Sequence, residues 1–363
     1  MVRVTELKLI DRLLLLGPPG VGKTEVIKQL AREEAKRLKK RFVDLSGEIE
    51  DKVVEEVKEK PEEHYVFLRV VAPTIFPEEI GFPVRKGGLI DIVPPKKLYM
   101  LTLPVYGVLF IDEITNVQLD AQVSMFFSLI QEKEIGWGIR LSPRLKVILA
   151  GNTPEWSEIV RALPKPLRSR LTILYVEPPT LEDWVTYMDA TYGDRWERLV
   201  YAYLKTSPGD FIAPPADDWE NYPCPRNWTE VAILLHEHGV AGNEEFIEAA
   251  LKGRLGTEVG ARFAAFLRER LSLEELEEMG EKPETFFAQR LSKKILALYF
   301  LSQRPVEELA TKYDALLRAL AEKERELFVL FLRLMKKEKR IEYSKRRGEL
   351  IAAVAAYLSD VLV

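Results

Sequence analysis

The sequence predicts an α/β protein whose first half holds a parallel sheet with helices on both faces, followed by a helical second half. Five apolar runs lack the strict alternation of half-exposed strands, which is typical of strands buried on both faces. Helical patterns such as 25–39 and 120–132 lie between them, which favours a doubly wound core of five parallel strands. The runs are RLLLL (12–16), YVFLRVV (65–71), GVLFI (107–111), LKVILA (145–150) and LTILYV (171–176).

The pattern changes after the Pro178–Pro179 pair. From Leu181 onward the sequence shows amphipathic helices and no convincing strand, interrupted by a loop rich in Pro and Gly at 207–225. The predicted domains are therefore the α/β core at 1–178, a helical domain at 179–267 and a helical, highly charged C-terminal extension at 268–363.

Composition excludes several classes of protein. The 363 residues carry a net charge of −4, which argues against a surface that binds nucleic acid all over. The single cysteine, Cys224, allows no internal disulfide, and no signal peptide or transmembrane run is visible, so we expect a cytoplasmic protein. Abundant Lys, Arg and Glu with few Asn and Gln are typical of thermophiles.

A phosphate-binding loop follows the first strand. GPPGVGKT (17–24) fits the pattern G-x-x-x-x-G-K-[ST] and stands between a strand and a helix. Its backbone N–H groups and the helix N-terminus can hold phosphate oxygens, Lys23 can reach the β- and γ-phosphates, and the Thr24 hydroxyl can bind Mg²⁺. The predicted nucleotide-binding residues are Gly17, Pro18, Pro19, Gly20, Val21, Gly22, Lys23 and Thr24.

Polar residues end the third and fourth predicted strands. Asp112 and Glu113 follow GVLFI, and ligands of open α/β sheets bind at the carboxyl ends of the strands. Asp112 can support Mg²⁺, and Glu113 is placed to polarise an attacking water, which favours hydrolysis over transfer to an acceptor. Asn152 ends the next strand, where an amide can hold that water or sense the γ-phosphate.

Two arginines precede the fifth strand. Arg168 and Arg170, in PKPLRSRL, have no carboxylate within a few residues before them, although a charge beside a buried strand needs a negative partner.

The order of these motifs resembles the AAA+ ATPases, which are P-loop NTPases with a helical lid. CPRNWTEVAILL (224–235) is similar to their sensor-2 motif and supplies Arg226. The segments PEEIGFPVRKGGLIDIVPP (77–95) and DEITNVQLDAQVSMFFSLIQEKEIG (112–136) resemble the MoxR type, in the clade with an insert in helix 2 and a hairpin before sensor 1. One departure is Thr115–Asn116, where many relatives have Asn-Arg.

The resemblance implies ATP and Mg²⁺ as cofactors and a role for each site residue. Lys23, Thr24 and Asp112 bind phosphate and metal, and Glu113 is the general base. Asn152 is implied as sensor 1 and Arg226 as sensor 2. Arg170 stands where the family places its arginine finger, which acts on the nucleotide of a neighbouring subunit, and Arg168 is the second choice.

The family works as rings, usually hexamers, that remodel other proteins. The expected partners are further copies of the chain and a protein client, possibly a separate protein with a von Willebrand A domain; no membrane partner is expected. A nucleic-acid motor or helicase subunit and a slow nucleotide switch remain alternatives.

The C-terminal segments have two interpretations. The basic segment KKEKRIEYSKRR (336–347) is interpreted as a solvated helical face, or alternatively as a nucleic-acid contact. GELIAAVAAYLSDVLV (348–363) is interpreted as a helix that docks on its own protein.

Overall fold

The computed structural model describes residues 2–136, 138–156, 160–215, 219–239, 244–269 and 271–354. The chain forms two compact units, Met1–Pro179 and Thr180–Val363. The division falls at the Pro178–Pro179 pair, where the sequence pattern changes from strands to helices.

The first unit alternates strands and helices. Its strands are β1 (Val2–Arg3), β2 (Leu13–Leu16), β3 (Arg41–Asp44), β4 (His64–Val71), β5 (Phe82–Lys86), β6 (Leu89–Val93), β7 (Tyr106–Asp112), β8 (Glu134–Ile135), β9 (Ile139–Arg140), β10 (Leu145–Gly151) and β11 (Thr172–Glu177). Its helices are α1 (Lys23–Arg37), α2 (Asp51–Glu59), α3 (Lys96–Thr102), α4 (Asp120–Glu132) and α5 (Lys165–Arg168).

The central sheet is parallel and has seven strands in the order β1-β11-β2-β10-β7-β4-β3. The predicted parallel α/β sheet is confirmed, and its five predicted strands are β2, β4, β7, β10 and β11. The expected number of five strands was wrong, because β1 and β3 extend the sheet at its two edges. Strand β1 has only two residues, and β3 (RFVD) carries a charged residue at each end, so neither leaves an apolar run in the sequence.

Both faces of the central strands β2, β7 and β10 are covered, as their unbroken apolar runs predict. Strand β11 differs from the prediction, because only Val176 of this strand is buried and Tyr175 is 54% exposed. Successive residues of β2 and β7 enter two different hydrophobic clusters, because side chains alternate between the faces of a strand. Leu14, Leu109 and Ile111 belong to one cluster, whereas Leu13 and Phe110 belong to the other. Burying each such side chain stabilises the fold by about 1.5–3 kcal/mol.

Two antiparallel hairpins are added to this core. Strands β5 and β6 pair from Phe82 with Val93 to Lys86 with Leu89, between β4 and α3. Leu89 and Ile90 near the tip of this hairpin are about three-quarters exposed, at 76% and 75%. Strands β8 and β9 form the second hairpin, directly before β10. Trp137, which stands between them in sequence, lies outside the described residues.

The second unit is helical. Its helices are α6 (Leu181–Tyr192), α7 (Leu199–Thr206), α8 (Pro225–His238), α9 (Glu244–Leu255), α10 (Thr257–Arg268), α11 (Leu273–Glu281), α12 (Pro283–Phe287), α13 (Leu291–Gln303), α14 (Val306–Leu309), α15 (Asp314–Lys323), α16 (Arg325–Leu334), α17 (Lys337–Arg346) and α18 (Gly348–Ala353). No helix in the described ranges is long and apolar enough to cross a bilayer.

One hydrophobic cluster joins helices on both sides of residue 267. It contains Trp228 and Phe263 of the predicted lid together with Phe286, Phe331 and Leu350 of the predicted extension. The separation of a lid at 179–267 from an extension at 268–363 therefore stays a prediction. Leu350 and Ile351 of α18 are buried, as expected of a helix that docks on its own protein. Residues 355–363 lie outside the described residues.

Candidate nucleotide-binding site

The phosphate loop connects β2 to α1, as the motif predicts. Gly22 lies at the N-cap of α1 with φ of 91°, a backbone conformation that residues other than glycine rarely adopt. The Gly17 N–H donates to the Gly151 carbonyl at 3.3 Å, so the loop is held at the end of the neighbouring strand β10. The loop is therefore fixed at the carboxyl edge of the sheet, with a helix N-terminus beside it.

Lys23 lies folded back over this loop. Its Nζ donates to the carbonyl oxygens of Gly17 and Pro18, both at 2.8 Å, and the residue is only 8% exposed. A buried ammonium needs negatively polarised oxygens around it. Phosphate oxygens at this position would supply full negative charge, which the loop carbonyls do not.

Asp112 is the meeting point of three chain segments. Its Oδ2 accepts a hydrogen bond from Thr24 Oγ1 at 3.1 Å, and its Oδ1 accepts one from the Glu113 N–H at 3.0 Å. Arg69 of β4 binds the same Oδ2, with Nε at 3.0 Å and Nη2 at 2.8 Å. The sequence-predicted pair Thr24 and Asp112 is thus brought together, and Arg69 is a third member that the sequence analysis missed.

Glu113 turns the chain sharply at the end of β7. Its φ of 57° is a left-handed conformation that costs a non-glycine residue roughly 1–2 kcal/mol. The Asn116 N–H donates to the Glu113 carbonyl at 2.9 Å, and Asn116 Nδ2 lies 3.4 Å from Glu113 Oε2. This strained turn places the glutamate side chain directly beyond Asp112.

Thr115 ties the Asp-Glu turn to the end of β10. The Asn152 N–H donates to Thr115 Oγ1 at 2.9 Å, and Thr115 is 4% exposed. A Cβ on Gly151 would lie 2.6 Å from Thr115 Cγ2, so the two segments are in close contact. The departure from Asn-Arg noted in the sequence therefore has a structural role, since Thr115 positions the Asn152 backbone beside the loop.

The oxygen donors at this edge fit Mg²⁺. Thr24 supplies a hydroxyl and Asp112 a carboxylate, the hard oxygen ligands that Mg²⁺ takes in proteins, where it usually keeps several waters and binds substrate phosphates. The described residues contain no cluster of three or more His, Cys, Asp or Glu that could hold a metal by themselves. The Thr24 hydroxyl and the Asp112 carboxylate are ligands of the kind that Mg²⁺ uses when it binds together with a nucleotide.

Arg168 and Arg170 form no ion pair within the described part of the chain. Arg168 is exposed at the end of α5, and Arg170 donates from Nη1 to the Pro166 carbonyl at 2.5 Å. The Arg170 guanidinium also lies over the Phe127 ring, 4.9 Å from its centroid. Their charges therefore have no carboxylate among these residues to balance them.

Arg226 lies in the second unit. It is exposed in the first turn of α8, next to Pro225 at the helix start. The neighbouring Cys224 is buried, and this burial raises the pKa of its thiol. The part of Arg226 in the nucleotide site stays a prediction.

A comparison with protein families finds a match for the phosphate loop and the elements that follow it. Residues 13–80 match the model of the ATPase family associated with various cellular activities (AAA). No curated protein matches the chain significantly.

Among solved structures, two mutants of RuvB from Thermotoga maritima are each 16% identical over 85% of this chain. The alignments cover 80% and 79% of those chains, with TM-scores of 0.28 and 0.30. Scores this low carry no argument about function. The family match covers the phosphate loop and the elements that follow it, and it supports ATPase activity of the first unit.

Proposed function

We propose that this ATPase hydrolyses ATP with Mg²⁺ at the carboxyl edge of the central sheet, in a ring of several copies that remodels a partner protein. The observation that carries the site is the 3.1 Å hydrogen bond between Thr24 Oγ1 and Asp112 Oδ2. It joins the phosphate loop to the acidic strand end, although 88 residues separate the two in sequence.

The chemistry assigned to the site is attack of water on the γ-phosphate, which yields ADP and phosphate. Lys23 and the loop N–H groups bind the phosphates, and Thr24 and Asp112 hold the metal. Bound Mg²⁺ would neutralise charge on the phosphate oxygens. Glu113, directly beyond Asp112, accepts the proton of the attacking water, and Asn152 orients that water.

Arg170 is assigned to the nucleotide of a neighbouring copy, with Arg168 as the second choice. Support comes from the charge balance, since neither arginine is paired with a carboxylate of its own chain within the described residues. A guanidinium suits this task because it is always charged and donates in a planar fork. Arg226 is assigned to the nucleotide from the second unit.

The proposed ring is of the MoxR-like kind, with six copies the usual number. The hairpin of β5 and β6 stands between β4 and α3, where that clade carries its insert, and it exposes Leu89 and Ile90. Exposed apolar side chains at a tip suit contact with a protein better than contact with a phosphate backbone. The client, and a von Willebrand A domain partner if there is one, would be separate chains.

A nucleic-acid motor is less well supported. Within the basic segment 336–347, Arg346 pairs with Glu307 at 2.5 Å and Arg347 pairs with Asp314 at 2.7 Å. Lys339 donates to the Ser302 carbonyl at 2.7 Å. Charges already met by the chain's own oxygens have less to gain from phosphates.

The site is tested by separating binding from turnover. Lys23→Ala should lose ATP binding, because its ammonium contacts phosphate in the ground state. Glu113→Gln should keep ATP binding and lose about 10²–10⁴-fold in turnover, the range for a general base. Lys36→Ala, in the exposed last turn of α1, and the exposed Glu132→Gln are the matched controls. Turnover of Glu113→Gln equal to that of the natural protein would remove Glu113 from its role.

The choice between remodeller, motor and switch needs a second experiment. Glu113→Gln loaded with ATP should retain a protein client, and Lys23→Ala should retain none. Turnover stimulated by added DNA or RNA would instead favour the motor. A slow basal rate that neither nucleic acid nor assembly changes would favour the switch.

A further inference from the structure

Arg69 makes an ion pair inside the proposed metal site. It lies near the carboxyl end of β4, two residues before Val71, which is in register with Asp112 on β7. Its guanidinium reaches across to Asp112 Oδ2 through both Nε and Nη2, at 3.0 and 2.8 Å. The Asp112 side chain is only 12% exposed, so this contact is screened little on the carboxylate side.

The same carboxylate oxygen serves two different purposes. Asp112 Oδ2 already accepts from Thr24 Oγ1 and from two guanidinium nitrogens. Thr24 and Asp112 are also the residues that would hold Mg²⁺, and a guanidinium within about 3 Å of the same oxygen repels a divalent cation there. Arg69 and the metal therefore cannot share Asp112 in this geometry.

We propose that Arg69 is the resident counter-ion of Asp112 and releases this carboxylate when Mg²⁺–nucleotide binds. The inference rests on the proposed nucleotide site. Without nucleotide, Arg69 keeps a largely buried carboxylate paired and in place. When Mg²⁺–nucleotide binds, Arg69 moves away from Asp112. Breaking this ion pair costs free energy, which lowers the affinity of the site for the metal.

The exposure of the Arg69 side chain allows such a release. This side chain is 40% exposed, so its guanidinium has water on one side and can turn away from the site. Lys23, by contrast, is 8% exposed and lies inside the loop that binds phosphate. The two cations at this edge therefore have different functions: Lys23 stays with the nucleotide and Arg69 leaves Asp112.

The test measures how strongly Mg²⁺ aids nucleotide binding. A fluorescent ADP is titrated into the full chain with Mg²⁺ and with EDTA, and the ratio of the two affinities is compared between Arg69→Gln and the natural protein. The ratio should rise about three- to tenfold in Arg69→Gln, since no charge-assisted pair has to be broken. Arg69→Lys, which makes one contact instead of two, should lie between them.

Two controls keep the result specific. Arg41→Gln removes the same charge from an ion pair with Glu56 at the amino end of β3, and its affinity ratio should not change. Thermal unfolding without nucleotide should show a lower melting temperature for Arg69→Gln, because Asp112 loses its counter-ion. If Arg69→Gln does not fold, Arg69→Lys still decides the question.

Three outcomes would overturn the inference. An unchanged ratio would mean that Arg69 does not compete with the metal. An equal loss of affinity with Mg²⁺ and with EDTA would make Arg69 a phosphate contact. A lower ratio would make it a support of the metal-bound state. If the natural protein bound no ADP at all, the proposed nucleotide site would fail instead.

Discussion

Two basic segments of this chain look similar in sequence and have different surroundings in the structure. In 336–347 of the second unit, Arg346 and Arg347 pair with carboxylates of the same chain. In 164–170 of the first unit, Arg168 and Arg170 form no ion pair among the described residues, and Arg170 lies over an aromatic ring.

The difference shows that local charge does not predict which arginines are balanced within the chain. Arg347 finds its partner 33 residues away, and Arg69 finds Asp112 at a distance of 43 residues. Arg170 precedes β11 of the sheet and has no such partner in the described structure. We therefore expect 164–170 to act between molecules and 336–347 to stabilise its own fold.

The largest effect is expected at Arg170. Arg170→Ala should keep ATP binding and lose about 10³–10⁵-fold in turnover, the range for an arginine finger in phosphoryl transfer. Arg32→Ala is the matched control, because Arg32 also lies over a ring, that of Phe42, in the same unit. Steady-state ATPase assays measure both variants. Full activity of Arg170→Ala would contradict the expectation that 164–170 acts between molecules.

A smaller, structural effect is expected at Arg347. Its Nε pairs with Asp314 at 2.7 Å, and both side chains are 22% exposed. Arg347→Gln should lower the free energy of unfolding by about 1–2 kcal/mol, since it leaves a half-buried carboxylate less well paired. Arg318 pairs with the same carboxylate, but its side chain is 44% exposed. Arg318→Gln should therefore lower the free energy of unfolding by less than about 1 kcal/mol. Equal costs in denaturant titrations would contradict the burial argument.

The smallest effect concerns pH. Burial lowers the pKa of Lys339 from 10.5 to about 8, so the folded state binds fewer protons than the unfolded state between these values. Below this window the buried Lys339 is charged and lowers the free energy of unfolding by the full cost of its burial. As the pH rises through the window, the folded state loses this proton first and the free energy of unfolding increases.

Lys339→Met should therefore be more stabilising at about pH 7 than at about pH 10, by roughly 1 kcal/mol after allowance for solvent screening. The exposed Lys345→Met should show no such difference. Denaturant titrations at both pH values measure it, and a reversed pH dependence would contradict the burial of Lys339.

The central strands and the approach of Thr24 to Asp112 could be predicted from the sequence, for a physical reason. A strand buried on both faces needs an unbroken apolar run, and a phosphate loop needs glycine at positions such as Gly22. Both requirements are local, so both can be seen without the structure. Thr24 and Asp112 follow because parallel strands end at one edge of the sheet.

The remainder depends on register and long-range packing. Arg69 meets Asp112 only because Val71 is paired with Asp112, and no local pattern records that register. Thr115 was noted as a departure from the family, whereas its bond to the Asn152 N–H depends on the contact between two distant turns. The edge strand β1 was missed because it has two residues, and β3 was missed because Arg41 and Asp44 interrupt its apolar pattern.

Arg170 is proposed to complete the site of a neighbouring copy, and mixing two inactive variants tests this action between subunits. Arg170→Ala lacks the proposed finger, and Glu113→Gln lacks the proposed base. Assemblies that contain both should regain part of the ATPase activity, because some interfaces unite an intact Glu113 with an intact Arg170. No recovery in assemblies shown to contain both variants would contradict action between subunits.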